Sequence, residues 1–187
     1  MNRRQFINKT GALAAGSLVA APALSGVTTP KAKTKLAMVG TGIRGNSFWG
    51  RRVVLNYGNE VEFVGLCDIN EGRVKYATQS IGVNCPTFTD FDQMMKVVKP
   101  DMLIVTTVDS AHHEFIIKGL NYGATVITEK PMTTDEVKCK AILDAEKKSG
   151  KKLIVGFNYR YGTLFTAIKE QLLTNRIGDL TSVDFHW

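Results

Sequence analysis

Hydrophobic and polar positions along this chain alternate between short apolar runs and longer periodic stretches. Leu36–Val39, Val61–Cys67, Met102–Thr106, Thr125–Thr128 and Leu153–Val155 are short runs of mostly apolar residues, the signature of buried strands. Between them, apolar residues recur at helical spacing over Ile43–Asn56, Glu71–Ile81, Phe91–Val98, Ala111–Tyr122 and Asp135–Ser149. The punctuation agrees with this division. Gly82, Gly123 and Gly150 each stand just past a helix, Asp90 and Thr134 stand where N-caps belong, and Pro100 stops the third helix. Pro86–Thr89 reads as a short extended piece.

Short strands alternating with helices imply parallel pairing with helices on both faces, an α/β doubly wound sheet. Such a sheet binds its ligands beyond the carboxyl ends of its strands. The residues to read for chemistry are therefore Gly40–Gly45, Asp68, Thr106–His112, Thr128–Pro131 and Gly156–Arg160. After Arg160 the pattern changes to an amphipathic helix, Thr163–Leu173, a Gly178-Asp179 turn and an alternating stretch, Leu180–Trp187. That stretch predicts the opening strand of a second, mostly antiparallel domain, with the chain cut short there.

The first residues obey a different pattern. Asn2-Arg3-Arg4-Gln5-Phe6-Ile7 is a basic region followed by a small-residue apolar run, Thr10–Ala21, and Ala20–Ser25 offers residues suited to a cleavage site. The run is too short and too weakly apolar for a membrane span, and no cysteine lies in this leader for a lipid anchor. Paired arginines ahead of an aromatic and an aliphatic residue resemble the twin-arginine export signal. The expected division is an export signal over 1–26, a linker over 27–34, a nucleotide-binding domain over 35–157 and the start of a second domain over 158–187. The expected location is the periplasm.

Composition alters this picture little. The chain of 187 residues is 44% hydrophobic and 22% charged, ordinary for a globular protein. Its net charge of +7 includes Arg3, Arg4 and Lys9 of an acid-free leader. The remaining excess is spread over helix faces without an aromatic-interleaved basic stripe, which argues against nucleic acid as a partner. Cys67, Cys85 and Cys139 are far apart, lack metal-ligand spacing and read as inert small hydrophobes.

The candidate chemistry begins at Lys35–Gly45, KLAMVGTGIRG, a strand running into Gly40, Gly42 and Gly45. Glycines so placed let the backbone approach a pyrophosphate and aim a helix N-terminus at its charge. Asp68 closes the next apolar run, at the spacing where a carboxylate meets the adenosine ribose. A glycine turn without a ligand is the plainer reading; the strand, helix and acid together outweigh it. Thr106-Thr107-Val108-Asp109-Ser110-Ala111-His112 supplies small polar residues suited to ribose and nicotinamide, with His112 as a cofactor contact rather than a catalyst. Glu129-Lys130-Pro131 ends the next strand. A lysine partly desolvated beside a cofactor has its pKa pushed down and exchanges a proton with a substrate hydroxyl. Glu129 is expected to hold its ammonium, and Pro131 to stiffen the turn.

Together VGTGIRG (39–45), Asp68, TTVDSAH (106–112), TEKPM (128–132) and GFNYR (156–160) resemble the Gfo/Idh/MocA family of glucose–fructose oxidoreductases, inositol dehydrogenases and their relatives. The resemblance runs from Lys35 to Trp187, and Glu-Lys-Pro is its most specific part. It implies a Rossmann domain followed by an α/β domain with an open antiparallel sheet. It also implies Lys130 as the proton-transfer residue and a nucleotide site at Gly40, Thr41, Gly42, Ile43, Arg44, Asp68, Thr106, Thr107, Asp109, His112, Glu129 and Lys130. Asn158 and Arg160 would line the substrate junction. Asp109 departs from the family, which commonly has asparagine there. The family's aspartate and histidine of the second domain have no counterpart here, and His186 does not fill the role. A homo-oligomer is implied for the full-length protein.

The function expected is oxidation of a secondary alcohol on a sugar or cyclitol, with NAD favoured over NADP because Asp68 would repel a 2′-phosphate. Export adds tight cofactor binding before transit and regeneration of the cofactor in place. Two other readings stand beside it. One is an NAD-dependent glycosidase using transient redox chemistry, a branch that Arg44-Gly45 resembles and Lys130 disfavours. The other is a nucleotide-binding fragment without turnover.

Overall fold

The computed structural model describes residues 32–184 and 186. The expected export signal, most of the linker, and Phe185 and Trp187 lie outside the described residues. Six parallel strands form one sheet in the order β3-β2-β1-β4-β5-β6. They are β1 (Thr34–Val39), β2 (Val61–Cys67), β3 (Thr87–Phe88), β4 (Met102–Val105), β5 (Thr125–Thr128) and β6 (Leu153–Val155). This is the doubly wound Rossmann order, with the switch point between β1 and β4. Beside it lie α1 (a π-helical part, Arg44–Arg51, continuing as an α-helix, Arg52–Tyr57), α2 (Glu71–Ile81), α3 (Phe91–Val98), α4 (His112–Asn121), α5 (Glu136–Ser149) and α6 (Thr163–Leu173).

Alternate strand residues serve opposite faces, so each strand feeds two cores. On one face Ala37, Val39, Leu103, Val105 and Val126 pack against Met94, Met95, Ile116, Leu120 and Ile142 of α3, α4 and α5. On the other, Leu36, Met38, Leu66 and Ile104 pack against Val74, Ala77 and Ile81 of α2, with Trp49, Val53 and Val54 of α1 beside them. No described helix is long and apolar enough to cross a membrane.

Three expectations need correction. The helix expected as one regular unit over Ile43–Asn56 opens with a π-helical segment. Gly45 and Gly50 explain it: five residues apart, both are buried, Gly45 against the Gly40 carbonyl and Thr106, and Gly50 against Ile81. In an α-helix residues five apart lie about 140° apart around the axis; i→i+5 bonding brings them to one side. The cap of α5 is Asp135 rather than Thr134, its carboxylate accepting from the Lys138 amide at 2.9 Å. Finally, 180–184 form no strand. Alternation marks a strand with a face to bury, but a strand also needs a hydrogen-bonding neighbour, and this segment has none among the described residues.

Candidate active site

The strand register sets the site. Phe88, Cys67, Val39, Val105, Thr128 and Val155 stand level across the sheet, each paired with the next. The residues that follow them form the carboxyl edge: Thr89, Asp68, Gly40, Thr106, Glu129 and Gly156. The backbone ladder continues into it, with the Gly40 amide donating to Cys67, Thr106 to Val39, Glu129 to Val105 and Gly156 to Thr128 at 2.8–2.9 Å.

At the centre the glycine turn is built as a cradle. Gly40 has φ +87°, and a Cβ there would lie 2.6 Å from the Thr106 backbone and the Thr107 amide. Gly42 faces open space, leaving the helix entrance approachable. Thr106 Oγ1 donates to the Gly40 carbonyl at 2.5 Å. Thr41 is buried, while Ile43 is 90% exposed.

Asp68, expected at the ribose, is only 4% exposed and holds the turn itself. Its Oδ2 accepts from the Thr41 amide at 2.8 Å and Thr41 Oγ1 at 3.0 Å, and its Oδ1 accepts from the Asn70 amide at 3.0 Å. The Arg73 guanidinium lies 3.6 Å from Oδ1. With Gly40, Ile69, Thr107, Val108 and Phe115, Asp68 borders a cleft of about 450 Å³ beyond the strand ends. Asp109 is exposed and turned into its own local structure, accepting from the Ser110 amide at 2.8 Å, and does not border that cleft.

His112 also departs from expectation. It opens α4 but is buried, its Nδ1 facing the Pro131 carbonyl at 2.8 Å and its Nε2 the Thr107 carbonyl at 3.2 Å. Its two ring nitrogens face carbonyls at the exits of β4 and β5, so the ring ties those two strand ends together.

The Glu129-Lys130-Pro131 segment, with a cis peptide bond before Pro131, is arranged differently from the expected ion pair. Glu129 is 5% exposed, and its Oε1 accepts from Arg44 Nε and from Trp49 Nε1, both at 2.8 Å. Its Oε2 accepts from the Lys130 amide at 3.2 Å. The carboxylate thus anchors α1 to the end of β5 and does not hold the Lys130 ammonium. Lys130 itself is exposed, where partial desolvation was expected. It lines a second cleft of about 530 Å³ with Arg44, Phe157, Asn158, Tyr159 and Arg160. Lys130, Asn158 and Arg160 are therefore brought together as the sequence suggested, and Arg44 joins them.

Trp49 and Phe48 were missed by sequence reasoning. Trp49 packs where a Cβ on Gly156 would meet its ring at 3.2 Å, and the Arg44 guanidinium stacks 4.1 Å above the Phe48 ring. The available signal was an aromatic pair within one turn of Arg44, but it is meaningful only once the π-helix is known. The cysteines stay out of the chemistry: burial and the nearby Asp68 and Asp90 carboxylates push the Cys67 thiol up to about 12, and burial pushes Cys85 up to about 11. Among the described residues no group of three or more His, Cys, Asp or Glu side chains is placed to hold a metal.

Comparison with known proteins follows the same outline. Residues 34–157 match the family model described as an oxidoreductase family with an NAD-binding Rossmann fold, Gfo/Idh/MocA. The Bacillus subtilis protein YteT, named as a candidate oxidoreductase, is 36% identical over 156 residues, covering 81% of this chain and 36% of that protein. Inositol 2-dehydrogenase of Salmonella typhimurium is 28% identical over 145 residues, covering 77% of this chain and 43% of the enzyme. The crystal structure of Lactobacillus casei myo-inositol dehydrogenase with NAD(H) and myo-inositol superposes with a TM-score of 0.71 at 28% identity, covering 79% of this chain and 43% of that one. The chain therefore spans less than half the length of these relatives. The family model covers about two thirds of the chain, and the chain belongs to the Gfo/Idh/MocA oxidoreductase family, of which it carries the NAD-binding Rossmann domain.

Proposed function

We propose that the protein containing this chain oxidises a secondary alcohol on a sugar or cyclitol, using NAD laid across the carboxyl edge. The observation that carries the reading is the alignment of two clefts along that edge, one bordered by Gly40, Asp68 and Thr107, the other by Lys130 and Asn158. The residues present fit the nucleotide: Gly40 admits no side chain, and Gly42 leaves open space at the entrance of α1. In this reading Gly42 and Ile43 offer amides to the pyrophosphate, while Asp68 keeps that turn in shape. NAD, when bound, supplies the hydride acceptor. Lys130 Nζ takes the proton of the substrate hydroxyl, and Asn158 orients the substrate. The neighbours that bind NAD(H) and inositol support the substrate class by kinship.

Export to the periplasm through the twin-arginine route belongs to the same proposal, supported by Arg3-Arg4 ahead of a short apolar run. A cofactor bound before transit and retained afterwards follows from that location, where a released nucleotide is not replaced. Calorimetry tests the core of the reading. NAD is expected to bind the purified chain and NADP to bind more weakly; no heat with either, oxidised or reduced, overturns it. Stoichiometric nucleotide retained through dialysis is the expected sign of tight binding, and rapid loss is the contrary result.

A further inference from the structure

We infer that the substrate of this site carries a carboxylate: the cleft beside Lys130 is built to take an acidic sugar, a uronic or aldonic acid, rather than a neutral polyol. The inference rests on the proposed function for the identity of the cleft and adds the charge of its occupant.

Three of the side chains lining the cleft are cations, Arg44, Lys130 and Arg160, and no carboxylate lines it. The acid nearest to them is Glu129, buried beneath, and its capacity is already committed to Arg44 Nε, Trp49 Nε1 and the Lys130 amide. Among the described residues neither the Lys130 ammonium nor the Arg160 guanidinium has an acidic partner, and Arg44 is paired through Nε alone, so its two terminal nitrogens remain available. The two guanidiniums stay charged even when Lys130 is the neutral amine that accepts a proton, so one carboxylate leaves an excess of one positive charge, or two while Lys130 is protonated, in a partly enclosed space. Like charges so gathered repel one another, and an incoming anion relieves that repulsion while the cleft walls reduce screening by water.

The geometry also distinguishes the kind of anion. Arg44 is not a loose surface side chain: Glu129 fixes it at Nε and the Phe48 ring supports it from below at 4.1 Å. A guanidinium pre-oriented in this way presents a planar fork, which matches the two oxygens of a carboxylate and loses little freedom on binding. Arg160 lies over the Phe157 ring at 5.8 Å. Asn158, lining the same cleft, offers both a donor and acceptor to hydroxyl groups. A neutral polyol would use Asn158 but leave the cations unanswered.

The test is a set of calorimetric titrations of the intact chain with glucuronate, glucose and glucose 6-phosphate, run with and without saturating NAD. Glucuronate and glucose share a ring and differ at C6, so the contrast isolates the carboxylate. Glucuronate is expected to bind at least about tenfold more tightly than glucose, the scale of one charge-assisted hydrogen bond, and to weaken as salt is raised. Arg160→Gln is expected to remove most of that preference, read as a larger loss of affinity for glucuronate than for glucose. Lys169→Gln, which removes an exposed cation of α6, is expected to change nothing. Equal binding of glucuronate and glucose, or heat from neither, overturns the inference, as does an equal loss in Lys169→Gln. Tighter binding of glucose 6-phosphate than of glucuronate overturns the carboxylate assignment in favour of phosphate. Failure of NAD to bind overturns the proposed function instead, and the glucuronate comparison made without NAD is read separately.

Discussion

Asp68 shows how a residue identified for one task carries a structural one as well. Its place at the end of β2 is legible from the apolar run before it, but its partners are not, because they come from a turn 27 positions earlier. The carboxylate is the acceptor for a buried amide and a buried hydroxyl of Thr41, so truncation strands both donors. Asp68→Ala is expected to cost about 1–3 kcal/mol in urea unfolding and to weaken NAD binding through loss of the turn's shape. A variant as stable as the parent would show that the turn holds itself. His112 and Glu129 follow the same rule. Their positions were readable, whereas Pro131, Arg44 and Trp49 are brought to them only by the register of the sheet.

Also at this scale, the Cys67 thiol links stability to pH. Folding holds its pKa at about 12, above the ordinary thiol value, so the folded chain resists losing that proton. The thiol's contribution is full below about pH 9 and is lost as pH rises from there toward the folded value. Urea midpoints measured at about pH 8 and about pH 10 should therefore fall for the parent. Cys67→Ala should fall less between the same two conditions, leaving the smaller contribution of Cys85, raised to about 11. An equal fall in both proteins places the alkaline sensitivity elsewhere.

Elements were the most legible level. Helices α2, α3 and α6 occupy the spans their apolar spacing predicts, and β2, β5 and β6 do the same. Local rules suffice there: Asn70 caps α2 and Gly82 ends it, Asp90 caps α3 ahead of Pro100, and a periodic face marks each helix. They fail where a neighbour decides. The π-helical opening of α1 depends on Gly45 and Gly50 both facing inward, which no local preference encodes. Gly119 of α4 is a comparable case whose meaning is purely one of packing. A Cβ there would lie 2.5 Å from Leu103 Cδ2 and 3.0 Å from Val126 Cγ2, so α4 can approach β4 and β5 only without a side chain. Helix propensity alone favours Gly119→Ala by up to about 1 kcal/mol, while overpacking costs about 1–3 kcal/mol. The expected outcome is net destabilisation, read as a lower thermal midpoint; a rise would mean that the strands yield.

Across the whole molecule, stability is unevenly distributed, and the distribution bears on the site. Met38, Leu66, Leu103 and Val126 are fully enclosed between sheet and helices, whereas α6 has no buried residue, with Leu164 and Leu173 mostly exposed. Its visible support is local: Phe165 stacks on Tyr159 at 5.7 Å, from the turn just before the helix. Elements with few buried contacts open at low free energy, independently of the core. Native-state hydrogen exchange should therefore find amides of β1, β4 and β5 protected up to global unfolding, and those of Thr163–Leu173 exchanging through local opening. Ending the chain after Gly162 should shift the thermal midpoint by no more than about 2 °C and leave NAD binding unchanged, since both clefts lie upstream. A shift well beyond that would couple α6 to the sheet. Arg160 would then depend on a helix for its position, and its preference for an acidic sugar should weaken in the shortened chain along with its stability.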